Sequence, residues 1–308
     1  MATEPRGNTA GGETIETDAS EAVLTEEDSD VDPTVSVVMP TMDEEEGIAE
    51  CIEMVKRAVD RSGISTEVLL SDDSADRTPE IARDMGARVV TPDEKGYGYA
   101  YRYAFEHARG EYIVIGDADC TYDFEQFPDL LDHVAGGEAD IVMGNRLGGD
   151  IKGGAMPRLH QYVGNPLLTR FLNAFYNADV SDAHSGFRVF HRDVLDELDL
   201  RTDGMEFASE MIMDAGARDL TITEVPITYH ERRGDAKLES FRDGWRHVRF
   251  MLLNAPNYLF SIPGVVMGLF GVFILTLGEM AVHFGQGSFG IQTMIAGSLF
   301  TLVGYQVA

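Results

Sequence analysis

The sequence predicts an α/β fold, a doubly wound and mostly parallel sheet with flanking helices, followed by a C-terminal hairpin of transmembrane helices. Three observations lead to this prediction. Between residues 35 and 143, short apolar segments alternate with segments of helical periodicity, as in consecutive βαβ units. Polar residues directly follow three of the apolar segments, at the strand ends where such sheets bind ligands. Two long runs without a charged residue close the chain.

The alternating pattern sets the bounds of each expected element. The first predicted strands are Val35–Met39, Thr66–Leu70, Arg88–Val90, Tyr112–Ile115 and Ile141–Met143. The helices predicted between them are Glu44–Arg61, Asp76–Met85, Tyr99–Ala108 and Phe124–Val134. After residue 160 the predicted helices are Leu167–Tyr176, Met205–Ala215 and Phe241–Leu253. The strands predicted in that part are Gly186–Phe190, Thr221–Val225 and Ile227–Tyr229, the last two separated by Pro226.

Four segments are expected along the chain. Residues 1–32 combine many acidic side chains with few large apolar ones, which is typical of a disordered tail. Residues 33–240 form the predicted α/β domain. Residues 241–256 are predicted to form an amphipathic helix at a membrane interface, and residues 257–308 the two transmembrane helices.

The charge balance is strongly acidic. The formal net charge is −29, with 53 Asp and Glu against 24 Lys and Arg. The first 30 residues contribute only −8 of this, so the excess also covers the rest of the chain. Such a surface repels phosphates and argues against a nucleic-acid partner. It is typical of adaptation to a salt-rich, halophilic cytoplasm, where salt screens the repulsion between like charges.

The two cysteines, Cys51 and Cys120, are expected to be reduced. One lies on a predicted helix and the other follows a predicted strand, and no CxxC pattern is present. The sequence therefore indicates neither a disulfide framework nor a thiolate metal site.

The membrane prediction comes from two runs of residues. Tyr258–Leu277 is a 20-residue run and Gly290–Ala308 a 19-residue run, both without a charge and each about long enough to span the hydrocarbon core. Arg242, Arg246 and Arg249 precede the first run and place that side in the cytoplasm. The alternative is a pair of buried core helices, and the prediction leaves open whether the hairpin is truncated at residue 308.

The strongest local signal for chemistry is the acidic pair Asp117-Ala118-Asp119 after the fourth strand. Two carboxylates one residue apart can reach one hard cation such as Mg²⁺ or Mn²⁺, which completes its coordination with phosphate oxygens and water. The alternative for so acidic a chain is a solvated acidic loop. Three further strand or loop ends carry polar groups, at Pro40–Glu44, Asp72-Asp73 and Lys95-Gly96. Their convergence on one crevice favours a nucleotide site.

Seven motifs in order resemble the family 2 glycosyltransferases of the GT-A fold. The motifs are PTMDEEEGI, DDSADRT, KGYGYA, GDADCTYDFEQFP, GNRLGGDIKGG, DAHSGFRVF and EVPITYHERRGDAKL. The most similar branch is the dolichyl-phosphate mannose or glucose synthase type, and the resemblance covers about residues 34–250.

The resemblance implies a role for each group of residues. The nucleotide-sugar site would comprise Pro40, Thr41, Asp43, Glu44, Asp72, Asp73, Lys95, Gly96, Asp117, Ala118 and Asp119. The metal would be held by Asp117, Asp119 and Thr121. The acceptor phosphate would be bound by Arg146, Lys152, Ser185, Arg188, Arg232 and Lys237. Catalysis would rest on Asp117, Asp119, Arg146, Arg188, Arg232 and Lys237.

The resemblance also implies a reaction. A hexose would pass with inversion from UDP-glucose or GDP-mannose to dolichyl or polyprenyl phosphate, for lipid-linked sugars and protein glycosylation. The enzyme would be a multi-pass protein of the cell membrane with its catalytic domain in the cytoplasm. The sequence departs from the family pattern at Met42-Asp43, Cys120 and Thr121. These departures bear on which nucleotide base of the donor is preferred and on which residue makes the third protein contact to the metal.

Three alternatives remain at this point. A processive polysaccharide synthase would carry a Gln-x-x-Arg-Trp motif, but the single tryptophan, Trp245, follows Gly244. An inactive nucleotide-sugar-binding membrane module would bind nucleotide without turnover. A Rossmann dehydrogenase would need a GxGxxG motif after the first strand, and Pro40–Glu46 contains no glycine.

Overall fold

A computed structural model describes residues 32–176, 178–234, 249–254, 260–280, 283–284, 287–288 and 290–308. Residues 1–31 of the predicted tail, the predicted acceptor ligand Lys237, and Arg242 and Arg246 lie outside the described residues. The chain divides into two compact units, Met1–Asp243 and Gly244–Ala308.

The first unit is built on one seven-stranded sheet. Its strands are β1 (Val35–Thr41), β2 (Thr66–Asp72), β3 (Arg88–Val90), β4 (Tyr112–Ile115), β5 (Ile141–Ile151), β6 (Arg188–His191) and β7 (Ile222–Tyr229). Their order across the sheet is β3-β2-β1-β4-β6-β5-β7. All neighbours are parallel except β6, which runs antiparallel to both β4 and β5. The mostly parallel sheet predicted from the sequence is confirmed.

Helices cover the sheet and bury its central strands. They are α1 (Ile48–Ser62), α2 (Thr78–Asp84), α3 (Tyr97–Phe105), α4 (Phe127–Ala135), α5 (Asn165–Tyr176), α6 (Val194–Glu197) and α7 (Phe207–Ala217). The apolar side chains of α1 recur at helical spacing, and Ile48, Ile52, Val55 and Val59 are all buried. Residues of β1 point into apolar surroundings on both faces, which is typical of a parallel strand between two helical layers.

The largest differences between predicted and observed strands are in β5 and β7. β5 is predicted to end at Met143, but it continues to Ile151 because its second half pairs with β7 after a bulge between Asn145 and Asp150. The break predicted at Pro226 is wrong, because β7 is one continuous strand. β7 lies at the edge of the sheet. A proline is tolerated in an edge strand because one side of that strand has no neighbour to accept a hydrogen bond from its backbone N–H.

The second unit contains two apolar helices, Ile262–Glu279 and Ile291–Val307. Glycines bring them close: a Cβ added at Gly264, Gly271 or Gly304 would lie 2.4, 2.4 and 2.3 Å from a backbone nitrogen of the facing segment. Among the described residues, only Ile262–Glu279 is long and apolar enough to cross a membrane. The second helix has 17 residues, so the transmembrane hairpin stays a prediction.

Candidate active site

The acidic pair lies where β4 ends. Gly116 packs beneath the ring of Phe124, and a Cβ there would lie 2.7 Å from that ring. Asp119 is buried, and its Oδ1 accepts hydrogen bonds from the backbone N (3.0 Å) and the Oγ1 (2.5 Å) of Thr121. Thr121, predicted as a third metal contact, therefore fixes the orientation of the Asp119 carboxylate.

The other carboxylate of the pair, Asp117, is half buried. The Tyr97 hydroxyl donates a hydrogen bond of 2.7 Å to its Oδ1. Burial raises the pKa of Asp117 to about 6, and the nearby charge of Asp119 adds to this rise, although the hydrogen bond from Tyr97 opposes it. The pair therefore carries negative charge that a cation would stabilise.

Arg232 links the acidic pair to the loop after β1. Its guanidinium lies 3.3 Å from Asp119 Oδ2 and 2.7 Å from Glu44 Oε1. Backbone bonds hold this segment in place, because Arg233 N donates to the carbonyl of Asp119 (3.0 Å) and His230 N to that of Thr121 (2.8 Å). The segment after β7 thus runs directly along the acidic pair.

The predicted nucleotide side is a network between the ends of β1 and β2. Asp72 Oδ1 accepts from the hydroxyls of Thr41 and Ser74, each at 2.6 Å. Asp43 has a left-handed backbone with φ of 53°, and its Oδ1 accepts from Ala75 N at 2.8 Å. These bonds hold the loop after β1 directly against the loop after β2.

The remaining predicted nucleotide residues lie around this network. Pro40 pairs with Ser71 in the register of β1 and β2. Lys95 lies 3.3 Å from Asp73 and is largely exposed. Gly96 has φ of 145°, and a Cβ there would lie 2.3 Å from the carbonyl oxygen of Asp203. Only glycine fits at this close approach.

On the predicted acceptor side, Arg146 is buried and already paired. Its guanidinium forms two hydrogen bonds of 2.8 Å with the carboxylate of Asp182, and its centre lies 5.3 Å from the ring of Tyr229. Asp182 is in turn held by Glu224, whose carboxylate accepts from the backbone N of Ser181 and of Asp182, both at 2.8 Å. Such a bidentate pair fixes the plane of the guanidinium.

Arg188, another predicted acceptor ligand, lies in the protein interior. It is fully buried and donates to the carbonyls of Ser185 (3.0 Å), Ala183 (3.2 Å) and Ala208 (2.8 Å). Burial lowers its pKa to about 10. Among the described residues, its Nη1 has no hydrogen-bond partner, and neither has the Oγ of Ser185. Buried polar atoms of this kind call for a partner.

The last acceptor candidate in the described part of the chain, Lys152, directly follows β5. Its backbone N donates to the carbonyl of Tyr229 at 2.9 Å, and its Nζ lies 2.5 Å from Asp150 Oδ2. Gly153 and Gly154 follow it, and Ile151 before it is paired with Tyr229 in the sheet.

Comparison with known proteins then assigns the family. The sequence profile described as Glycosyl transferase family 2 matches residues 36–199, more than half of the chain. The chain belongs to glycosyltransferase family 2. It is therefore an enzyme that transfers sugars, and the match spans β1 to β6 and the acidic pair.

Two relatives of this glycosyltransferase come from Haloferax volcanii. One, the "Low-salt glycan biosynthesis hexosyltransferase Agl6", is 60% identical over 289 residues, which is 94% of this chain and 70% of the relative. The other, a "Dolichyl-phosphate hexose transferase", is 36% identical over 211 residues, which is 68% of this chain and 89% of the relative.

Solved structures show the same fold. The glucosyl-3-phosphoglycerate synthase of Mycobacterium tuberculosis, in complex with Mn²⁺, UDP and glucosyl-3-phosphoglycerate, has a TM-score of 0.58 at 23% identity. The match covers 72% of this chain and 80% of that chain. A further structure of that synthase contains Mg²⁺ and UDP. At this identity the likeness shows the GT-A-like fold alone.

The donor atoms at the acidic pair fit a divalent cation. Asp117 and Asp119 offer hard oxygen atoms. Burial first, and the nearby charge of Asp119 second, raise the pKa of Asp117, and a cation would offset both effects. Within the described residues, no cluster of three or more His, Cys, Asp or Glu side chains could hold a metal. Two protein carboxylates with a diphosphate and water are the usual arrangement for Mg²⁺.

We predict that Mn²⁺-dependent binding of a nucleoside diphosphate weakens as the pH falls through about 6. The pKa of Asp117 is about 6, above its ordinary value, so the carboxylate is ionised above that pH and protonated below it. Titration calorimetry at about pH 7.5 and about pH 5 measures the effect, expected as a loss of about tenfold. Equal affinity at both pH values would contradict the prediction. Asp117→Asn should reduce the pH dependence without removing it, because the terminal phosphate of the diphosphate also takes up a proton near pH 6.

Two groups of this site lay outside the sequence-based predictions. Tyr97 lies within the motif KGYGYA, but neither composition nor spacing indicates that its hydroxyl reaches Asp117. Asp182 opens the motif DAHSGFRVF in the loop before β6, and the sequence pattern does not indicate that it pairs with Arg146 of β5. Both contacts join residues far apart in sequence, which a local pattern does not reveal.

Proposed function

We propose that this enzyme moves one hexose, with inversion, from a nucleoside-diphosphate sugar onto a polyprenyl phosphate of the dolichyl type. The observation that carries the proposal is Arg232, which lies between Asp119 and Glu44 beside the acidic pair. A guanidinium beside two carboxylates that fit a metal is suited to bringing two phosphorylated substrates together. The relative named as a dolichyl-phosphate hexose transferase supports the choice of substrates.

The donor half of the reaction follows from the acidic pair. Asp117 and Asp119 would hold a Mg²⁺ or Mn²⁺ ion, and such an ion supplies charge stabilisation to a departing diphosphate. Asp72 and Asp43 would accept hydrogen bonds from the ribose and base, since their loops are fixed next to the strand ends. Lys95 is exposed and near Asp73, where it could reach a phosphate or ribose oxygen of the donor.

The acceptor half needs positive charge rather than a strong base. A phosphomonoester has a second pKa of about 6, so its oxygen is already anionic at neutral pH and can attack the anomeric carbon directly. Arg146, Arg232 and Lys152 would offset the repulsion between the two anionic substrates. Within the described part of the chain, the buried Ser185 Oγ and Arg188 Nη1 have no hydrogen-bond partner, which supports a polar ligand on this side of the site.

A lipid-borne acceptor is supported by an exposed apolar segment before and within α5. Leu159, Tyr162, Val163 and Leu167 are between 53% and 70% exposed, which is unusual for large apolar side chains so close in sequence. Arg158 lies next to them in sequence. An apolar segment with a cationic flank fits the interfacial region of a bilayer.

The remaining parts of the proposal concern organisation and location. The proposed domains are a tail at 1–32, the GT-A catalytic domain at 33–240, an interface helix at 241–256 and two transmembrane helices at 257–308. The catalytic domain would face the cytoplasm, as the arginines before the first apolar run indicate. The acidic surface and the two Haloferax relatives support a salt-adapted protein.

The test is a transfer assay on the full chain in detergent at high salt. Radiolabelled UDP-glucose and GDP-mannose are each supplied with Mn²⁺ and polyprenyl phosphate, and with unphosphorylated polyprenol as the control acceptor. The expected product carries one sugar per lipid and forms only on the phosphate. A polymer would favour a processive synthase, and nucleotide binding without any product would favour an inactive module.

A further inference from the structure

The residue that prompts a further inference is Tyr97, the first residue of α3. Its hydroxyl donates a hydrogen bond of 2.7 Å to Asp117 Oδ1. The mechanism proposed above assigns Tyr97 no role. Its neighbour two residues along the helix, Tyr99, instead bonds to Asp93 in an exposed pair.

The backbone under Tyr97 is fixed on both sides. Gly98 N donates to the carbonyl oxygen of Asp203 at 2.9 Å. A Cβ on Gly96 would lie 2.3 Å from the same oxygen, and a Cβ on Gly98 2.1 Å from that of Thr202. The helix therefore begins in direct backbone contact with the loop before α7, and the two glycines allow that contact.

The ring of Tyr97 is also fixed by packing. It meets the ring of Tyr101 edge-on at 5.1 Å, and Tyr101 stacks on Phe207 at 5.1 Å. Tyr101 and Phe207 are fully or almost fully buried. An aromatic ring held in this way presents its hydroxyl at one place, with little freedom to follow a moving partner.

We infer that Tyr97 is a positioning residue for the donor complex: its hydroxyl holds Asp117 Oδ1, so that the carboxylate meets the metal–diphosphate in one fixed orientation. The inference rests on the proposed function, because it takes Asp117 as a ligand of that complex. Partners that hold a metal-binding carboxylate commonly contribute about 10- to 100-fold to metal affinity. Thr121 does the same for Asp119, so each member of the acidic pair has its own donor.

The test compares Tyr97→Phe with Tyr99→Phe in the full chain. Both variants lose one hydroxyl from the same helix, and the phenyl ring left by Tyr97→Phe would keep its packing on Tyr101. Free Mn²⁺ is measured by electron paramagnetic resonance with UDP and with GDP present. We expect Mn²⁺ affinity to fall about 10- to 100-fold in Tyr97→Phe and to remain as in wild type in Tyr99→Phe.

A kinetic measurement separates positioning from a general structural defect. The Mn²⁺ concentration for half-maximal transfer should rise in Tyr97→Phe, with kcat at saturating Mn²⁺ within about threefold of wild type. Wild-type Mn²⁺ affinity in Tyr97→Phe overturns the inference while leaving the proposed function intact. Absence of Mn²⁺ binding in wild type and in Tyr99→Phe overturns both.

Discussion

Substitution Asp119→Asn is expected to lower the rate of hexose transfer by on the order of 10²–10³-fold or more. The change removes one negative charge from the acidic pair and keeps the size of the side chain. The Asn Oδ1 can still accept the two hydrogen bonds from Thr121, so the turn after β4 should keep its structure. The loss would therefore fall on charge stabilisation of the departing diphosphate rather than on folding.

The matched control is Asp129→Asn. Asp129 is an exposed acidic residue in the first turn of α4, and its substitution also removes one negative charge. Transfer of radiolabelled sugar to polyprenyl phosphate and thermal unfolding are measured for both variants. Asp129→Asn should transfer at the wild-type rate, and both should unfold within a few degrees of wild type. Wild-type turnover in Asp119→Asn would remove the basis of the proposed mechanism.

Much of the sheet could be predicted because its strands are local patterns. Arg88–Val90 and Tyr112–Ile115 are predicted with their observed bounds, since each contains β-branched residues and is followed by a residue that ends the pattern, Thr91 or Gly116. The direction of β6 could not be predicted. Its four residues carry no sign of orientation, and the antiparallel pairing depends on how the chain returns between β4 and β5.

Helix starts were predicted less well than helix cores. The first helix begins at Ile48 rather than Glu44, because the preceding residues form a turn in which Gly47 N donates to the carbonyl of Glu44. α3 begins at Tyr97 rather than Tyr99, since the tertiary contact with Asp203 fixes its first turn. In both cases a contact outside the local pattern determines where the helix begins.

The candidate site was predictable in its residue types and less so in its contacts. The carboxylates at strand ends followed from the βαβ pattern, because such ends meet at one edge of the sheet. The burial of Arg188 did not follow, since a charged residue is rarely fully buried without a carboxylate partner. Its three carbonyl acceptors come from Ala183, Ser185 and Ala208, and nothing in the sequence pattern reports that arrangement.

Substitution Arg232→Met is expected to separate metal binding from transfer. Transfer should fall by on the order of 10²–10³-fold, because the site loses a cation that can contact either anionic substrate. Binding of Mn²⁺ without nucleotide should become tighter by about fivefold or more, since the guanidinium that lies 3.3 Å from Asp119 Oδ2 would no longer repel a second cation. A merely structural defect would weaken both properties.

Two further variants sharpen this test. Arg233→Met removes a neighbouring charge whose contact with Glu50 is 3.9 Å long and exposed, so it should change neither property. Arg232→Lys should regain only part of the transfer rate, because a single ammonium group lacks the fork that lets Arg232 meet Glu44 and Asp119 together. Calorimetry with Mn²⁺ alone and the radiolabelled transfer assay measure the two properties. If Arg232→Met kept wild-type transfer, the cation beside the acidic pair would have no part in the reaction, and the opposing charges of donor and acceptor would have to be offset elsewhere.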